Sequence, residues 1–255
     1  MNAYLNVNLI RLLEMFATIN QVEKYYSNGE SDKHEVIYKA FDKNVGEINP
    51  ELSKAFNAAE GFGEHAFCWN WHLIVDAMPQ SFKFLEIGVY KGRTLGVIQL
   101  LATHLKKECE IYGITPLTNL GDKYSRYNDE NYSYSLFMNL NKMNVGIDNI
   151  NIVKGLSTDF NAMNEVNATG PYDVIFIDGC HDYEVVCKDI TNYLPMLKSG
   201  GYLVMDDASL FLDKPYGQFL GHKDVCQAIK DTIDSGSLGL THIFAVGHNR
   251  VWRKA

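Results

Sequence analysis

The feature that most restricts the fold of this chain is an alternation. From Phe84 onward, short apolar runs take turns with segments of helical periodicity. Phe84–Ile87, Glu110–Ile114, Ile150–Val153, Tyr172–Ile177, Tyr202–Met205, His242–Val246 and Arg250–Arg253 read as strands. Between them Thr94–Lys106, Ser135–Met143, Ser157–Val166, Tyr183–Leu197 and His222–Ser235 read as helices. Strand-helix alternation of this kind predicts an α/β fold, a doubly wound, mostly parallel sheet with helices on both faces. Only Gly247-His248-Asn249 separates the last two runs. That is too short for a crossover, so they form an antiparallel hairpin. The expected sheet has seven strands, with Phe84–Ile87 central and a reversed hairpin at the C-terminus.

Residues 1–80 read as a helical N-terminal extension to a main domain of residues 81–255. Leu5, Leu9, Leu12, Leu13 and Phe16 keep helical spacing, and Val36, Ile37, Ala40 and Phe41 mark a second helix. Asn49-Pro50-Glu51 is a helix start, with Asn as cap and Pro in the first turn. A third segment, Phe67 to Met78, stops at Pro79. Three roles stay open for this extension: a packed layer, a lid or a homodimerisation surface.

At 255 residues and 46% hydrophobic content, the chain can bury one sizeable core. A formal net charge of −8, without a Lys/Arg cluster, speaks against nucleic-acid or anionic-membrane partners. No apolar run approaches the roughly 20 residues that span a bilayer. The first residues lack the basic-then-apolar order of a secretory signal. Five cysteines, with no C-x-x-C pair, read as free thiols of a reducing compartment. A soluble, cytoplasmic protein is expected.

Open α/β sheets bind ligands at the carboxyl ends of their strands, here Gly88, Thr115, Gly155, Asp178 and Asp206. The first of these ends is Phe84-Leu-Glu-Ile-Gly-Val-Tyr-Lys-Gly-Arg-Thr94. It is a strand, a glycine turn and a helix, a junction that brings backbone close to a ligand beside a helix N-terminus. Its E-x-G-x-x-x-G spacing departs from the G-x-G-x-x-G of dinucleotide sites. Residues 116–134 are polar and aromatic without an apolar period, and read as a long loop at the ligand end, functional or a surface excursion.

The glycine loop is followed by Ile177-Asp-Gly-Cys-His-Asp-Tyr-Glu184 and by Gly200-Gly201 leading to Asp206-Asp207. In this order and spacing, over roughly residues 61–255, the chain resembles the class I S-adenosylmethionine-dependent methyltransferases. It is most similar to small-molecule O-methyltransferases with an I-D-G-x-H-x-Y-E segment. The first 60 residues carry no such resemblance. What it implies is a Rossmann-like methyltransferase fold, S-adenosylmethionine as cofactor and a small-molecule acceptor. Glu86, Gly88 and Gly92 match the cofactor loop, and Thr94 starts the helix beside it. Thr115 stands where the family has a ribose-binding acid, and it cannot give the bidentate contact of a carboxylate. Leu156 replaces an adenine-proximal acid, with Ser157 beside it. Asp178 borders the cofactor as well.

Methyl transfer to an alcohol needs a held acceptor oxygen and a way to lose its proton. Asp178, Asp206 and Asp207 would repel one another at adjacent strand ends unless a cation sat among them. Oxygen-only ligation suits Mg²⁺, with Mn²⁺ or Ca²⁺ next. The alternative is that Asp206 or Asp207 caps the following segment while Asp178 bonds loop amides. His181 matches the catalytic base of metal-dependent relatives, and an ordinary pKa near 6.5 suits that task. It could equally orient an aspartate or cap the helix near Tyr183. His222 is a second, weaker candidate, whereas His65 and His72, flanking Trp69 and Trp71, read as packing. Cys180 has no dedicated base. The expected function is methylation of a hydroxyl on a sugar or natural-product precursor. The alternatives are metal-free N-methylation and, because of Thr115 and Leu156, a cofactor-binding protein without catalysis.

Overall fold

The computed structural model describes residues 16–118, 122–124 and 131–255, apart from the side chain of Ile48. Its centre is a seven-stranded sheet made of β1 (Ser81–Ile87), β2 (Glu108–Thr115), β3 (Ile150–Lys154), β4 (Tyr172–Ile177), β5 (Leu197–Met205), β6 (Leu240–Val246) and β7 (Asn249–Lys254). The order across the sheet is β3-β2-β1-β4-β5-β7-β6, with β7 antiparallel to both of its neighbours. β1 lies inside the sheet between β2 and β4, and β4 takes the middle place.

Side chains alternate across the pleat, so each buried strand feeds two cores. Phe84, Val174, Phe176 and Val204 join one cluster with Phe41, Ile74 and Leu101. Leu85, Ile175, Ile177, Leu203 and Met205 join the other with Val166, Ile190 and Ile229. The first face carries α1 (Ile19–Ser27), α2 (Lys33–Ile48), α3 (Pro50–Ala58), α4 (Phe67–Ala77), α5 (Arg93–His104) and α6 (Ser133–Lys142). The second carries α7 (Phe160–Thr169), α8 (Tyr183–Tyr193) and α9 (Lys223–Thr232). The N-terminal helices thus share one core with the sheet.

Local chemistry sets the boundaries. Thr18 and Gln21 close a capping box at the start of α1. Asn49 caps α3 by accepting from the Leu52 N–H, with Pro50 in the first turn. α8 stops at Tyr193, before the 3₁₀ turn Leu194–Met196 that contains Pro195, rather than reaching Leu197. α7 begins at Phe160 instead of Ser157, because Asp159 accepts from the Leu156 N–H and holds a turn there. The hairpin turn is tighter than expected, since Asn249 already belongs to β7. The periodic set Leu5, Leu9, Leu12 and Leu13 lies outside the described residues, as does part of the loop 116–134. Among the described residues, no helix is long and apolar enough to cross a membrane.

Strand register places the site. Ile87 stands level with Ile114 and with Ile177, and Ile177 with Met205. Gly88, Thr115, Asp178 and Asp206 therefore leave the sheet in one row. Met205 is paired with Arg250 of the antiparallel β7, which brings the β6–β7 turn back to the same edge.

Candidate active site

A cavity of about 800 Å³ opens over this row of strand ends. Its wall includes Glu86, Gly88, Thr115 and Ser157 on one side and Asp178, Asp206, Asp207, His181, His222 and His248 on the other. The segment between α3 and α4 contributes Gly61 to Glu64, with the Phe62 ring stacked on Tyr90 at 5.2 Å.

On the first side, Glu86 is 2% exposed beside the Thr94 hydroxyl. Burial holds its carboxyl well above the usual carboxylate range, and Oε2 has no hydrogen-bond partner among the described residues. Gly88 has φ +90°, and a Cβ there would come 2.0 Å from the carbonyl oxygen of Asp178. Only glycine lets the β1 and β4 loops touch in this way. Gly92, expected in the cofactor loop as well, lies between Lys91 and Arg93 of the cavity wall. It precedes α5 in the left-handed region, and its open side faces Leu136 Cγ at 3.0 Å, so it serves the turn and the packing. Thr115 is buried, with its Oγ1 accepting from the Leu117 N–H at 3.3 Å. The Ser157 hydroxyl lies beside the buried Asp189 of α8.

On the second side, the carboxyls of Asp178 and Asp206 bond each other, and burial followed by mutual repulsion raises Asp178 well above its ordinary range. One proton shared between them relieves that repulsion. Among the described residues, the groups whose ligand atoms all lie within 4.8 Å of one another are Asp206–Asp207–His248 and His181–Asp207–His222.

His181 is held from both ends. Its Nδ1 and its backbone N–H both meet Asp122 Oδ2, at 2.7 and 2.8 Å, and its Nε2 lies 3.0 Å from Asp207 Oδ2. Burial opposes a charge on this ring, but the two carboxylates outweigh it and push the pKa up to about 10. At neutral pH His181 is an imidazolium, a proton donor. His222, 3.5 Å from Asp207 Oδ2, is shifted the other way, chiefly by burial, and stays neutral. The ring of Tyr124 lies over it at 4.2 Å.

Sequence reasoning missed Asp122, Glu64 and His248. Asp122 sits in a loop without periodicity, and Glu64 in the N-terminal segment, so neither carries a local signal. His248 could have been found, since an antiparallel strand next to β5 must return its turn to the Asp206 edge. His65 pairs with Asp42 and Ser53, and His72 stacks on Trp69 at 4.3 Å, both as packing groups.

A family model described as a methyltransferase domain matches residues 85–208, from the β1 glycine loop to the residue after Asp207. An uncharacterized protein of Acanthamoeba polyphaga mimivirus is 30% identical over 163 residues, which cover 60% of this chain and 67% of that protein. The chain belongs to the class I S-adenosylmethionine-dependent methyltransferases. An O-methyltransferase from Bacillus cereus in complex with SAH superposes on this methyltransferase with a TM-score of 0.56 at 14% identity, over 85% of this chain and 98% of that one. The O-methyltransferase NovP gives 0.53 at 15%, over 89% and 100%. The methyltransferase MycE from the mycinamycin biosynthetic pathway, in complex with Mg, SAH and mycinamycin VI, gives 0.51 at 19%, over 82% of this chain and 54% of MycE. At these identities the likeness is one of fold. The residues present fit that cofactor at one point, an orphaned buried carboxylate oxygen on Glu86 in the cavity wall beside Gly88.

Proposed function

We propose that this methyltransferase acts on a hydroxyl of a small molecule, a sugar or natural-product precursor, with a divalent cation, Mg²⁺ first, among Asp178, Asp206 and Asp207. The observation that carries the reading is continuity: one cavity joins the Glu86–Gly88–Thr115–Ser157 wall to the carboxylates and imidazoles. Methyl donor and acceptor oxygen would share a space whose walls fix their line of approach, where much of the rate of such a transfer originates.

S-adenosylmethionine, when bound, supplies the activated methyl group. Glu86 would hold the amino end of its methionine part, an ammonium being the partner its buried oxygen lacks. Thr115 and Ser157 would face its ribose and adenine. A cation, when bound, would supply charge that lowers the pKa of an acceptor hydroxyl, with Asp207 among the residues that hold it. The shared proton of Asp178 and Asp206 fits such a site, since acids pressed together can exchange a proton for a metal. His181 would serve as base only with its Nε2 proton given up, whereas His222 is neutral as it stands. Phe62 and Glu64 in the cavity wall support a lid role for the segment before α4. A second reading, amine methylation, is favoured by the imidazolium state of His181, which is no base as it stands.

The test is calorimetric titration of S-adenosylmethionine with and without Mg²⁺, followed by turnover on hydroxyl and amine acceptors. Hydroxyl transfer stopped by chelator, with His181→Ala slowing it roughly 10²–10⁴-fold at unchanged cofactor affinity, is the expected result. Chelator-insensitive transfer to amines would overturn the proposal.

A further inference from the structure

Asp206 and Asp207 have a nitrogen as their close companion. His248, in the β6–β7 turn, is 6% exposed, and its ligand atom lies with theirs inside 4.8 Å. Its two ring nitrogens have different neighbours. Nδ1 is 3.1 Å from Glu64 Oε1, and Nε2 points at Asp206 Oδ1 from 3.3 Å. An imidazole tied by its outer nitrogen to a carboxylate, with the inner one aimed at an acid pair, has the geometry that orients a metal-ligating histidine and raises its basicity.

Glu64 is anchored independently. Its Oε2 accepts from the Tyr38 hydroxyl of α2 and from the Gln218 N–H at 3.5 Å. The rings of Phe67 and Phe219 meet His248 edge-on at 4.7 and 5.3 Å and fix its plane. The inner contact is an ion pair that falls short of a hydrogen bond. Asp206 Oδ1 is buried without a hydrogen-bond partner among the described residues, so what ties it to Nε2 is electrostatic attraction, from which desolvation subtracts. A carboxylate oxygen of Asp206, one of Asp207 and a ring nitrogen of His248 lie within 4.8 Å of one another, close enough to hold one cation.

The geometry points to His248 as a nitrogen ligand, oriented by Glu64, in a mixed nitrogen–oxygen cation site with Asp206 and Asp207. This rests on the metal-assisted reading and deepens it. An imidazole in the set shifts preference away from Mg²⁺ and Ca²⁺, which seek oxygen, towards Mn²⁺, Co²⁺ or Zn²⁺.

The experiment uses the full chain and the metal chlorides alone. Calorimetry compares Mn²⁺ with Mg²⁺, and pulsed electron paramagnetic resonance of the Mn²⁺ sample reads coupling to a directly bound nitrogen. Mn²⁺ is expected to bind at least about tenfold more tightly than Mg²⁺ and to show that coupling. His248→Gln should abolish it and weaken Mn²⁺ about 10–100-fold; Glu64→Gln should weaken Mn²⁺ similarly while the coupling persists. SAH binding reports that each variant is folded, and if His248→Gln does not fold, the parent's coupling and Glu64→Gln decide. Mn²⁺ bound without nitrogen coupling, or with coupling that survives His248→Gln, overturns the assignment of His248 and leaves the metal-assisted reading standing. A parent that binds SAH but no divalent ion at millimolar concentration overturns both.

Discussion

Oδ2 of Asp122 accepts two hydrogen bonds from one residue, His181, through its backbone N–H at 2.8 Å and its Nδ1 at 2.7 Å. The loop carboxylate therefore sets both where the imidazole sits and which charge it carries.

Replacing Asp122 with Asn keeps the shape and removes the charge. The His181 pKa, about 10 in the parent, should fall towards its ordinary value near 6.5, read from the ring proton shifts in an NMR titration. The sign for stability follows. A raised histidine pKa stabilises fully below about pH 6.5, and that contribution disappears as pH rises through about 10. The parent should lose stability to urea across this window more steeply than Asp122→Asn. Parallel pH profiles would refute the double clamp.

The two loop glycines should behave differently. A Cβ at Gly88 would press on the Asp178 carbonyl at 2.0 Å with backbone on both sides, so Gly88→Ala should abolish SAH binding and cost upwards of about 3 kcal/mol. At Gly92 the neighbour is the Leu136 side chain, which can shift, and the cavity is not touched. Gly92→Ala should cost about 1–2 kcal/mol in thermal unfolding yet leave SAH affinity within about threefold. Equal loss of binding in the two variants would contradict this division of roles.

Asp189 is fully buried in α8, beside the Ser157 hydroxyl. Burial raises its pKa to about 7, with the Ser157 hydroxyl giving partial relief. A raised carboxyl pKa means that the folded state holds the proton more tightly, so stability falls as pH climbs from about 4 to about 7. Asp189→Asn should remove that slope and, above pH 7, be more stable than the parent by at most about 4 kcal/mol. Denaturant titrations at pH 5 and pH 8 check it; a gain at pH 5 as large as that at pH 8 would rule out ionisation as the cause.

Thr115 offers one oxygen at the end of β2, and the Leu117 N–H already uses it. Aspartate could keep that bond and turn a second, charged oxygen to the cavity, where the ribose is proposed to lie. Thr115→Asp should tighten SAH binding about tenfold, in line with a charge-assisted hydrogen bond less its burial cost. Weaker binding by calorimetry would place the ribose elsewhere.

The sheet was legible because each of its strands is a local statement: an apolar run, a breaker and a helical period. Tyr172–Ile177 is buried along its whole length and reads as unbroken apolar sequence apart from Asp173, whose carboxylate accepts from the Lys83 N–H and Lys198 Nζ. Candidate residues at strand ends were legible for the same reason, since a parallel register lines those ends up. For Gly92, spacing shows a turn but not which way its open side points, which is towards Leu136.

What the sequence determined by itself, then, was the α/β alternation, the reversed hairpin and the row from Gly88 to Asp206, all consequences of backbone period and connection length. Tertiary structure alone decided the charge of the site. Asp122, Glu64 and His248 reach the cavity from a loop, the N-terminal segment and a hairpin turn, separated by 59 residues (Asp122 to His181) and 184 residues (Glu64 to His248) from the groups they bond. Proton affinity depends on burial and on charges a few ångströms away, and those distances exist only once the chain has closed on itself.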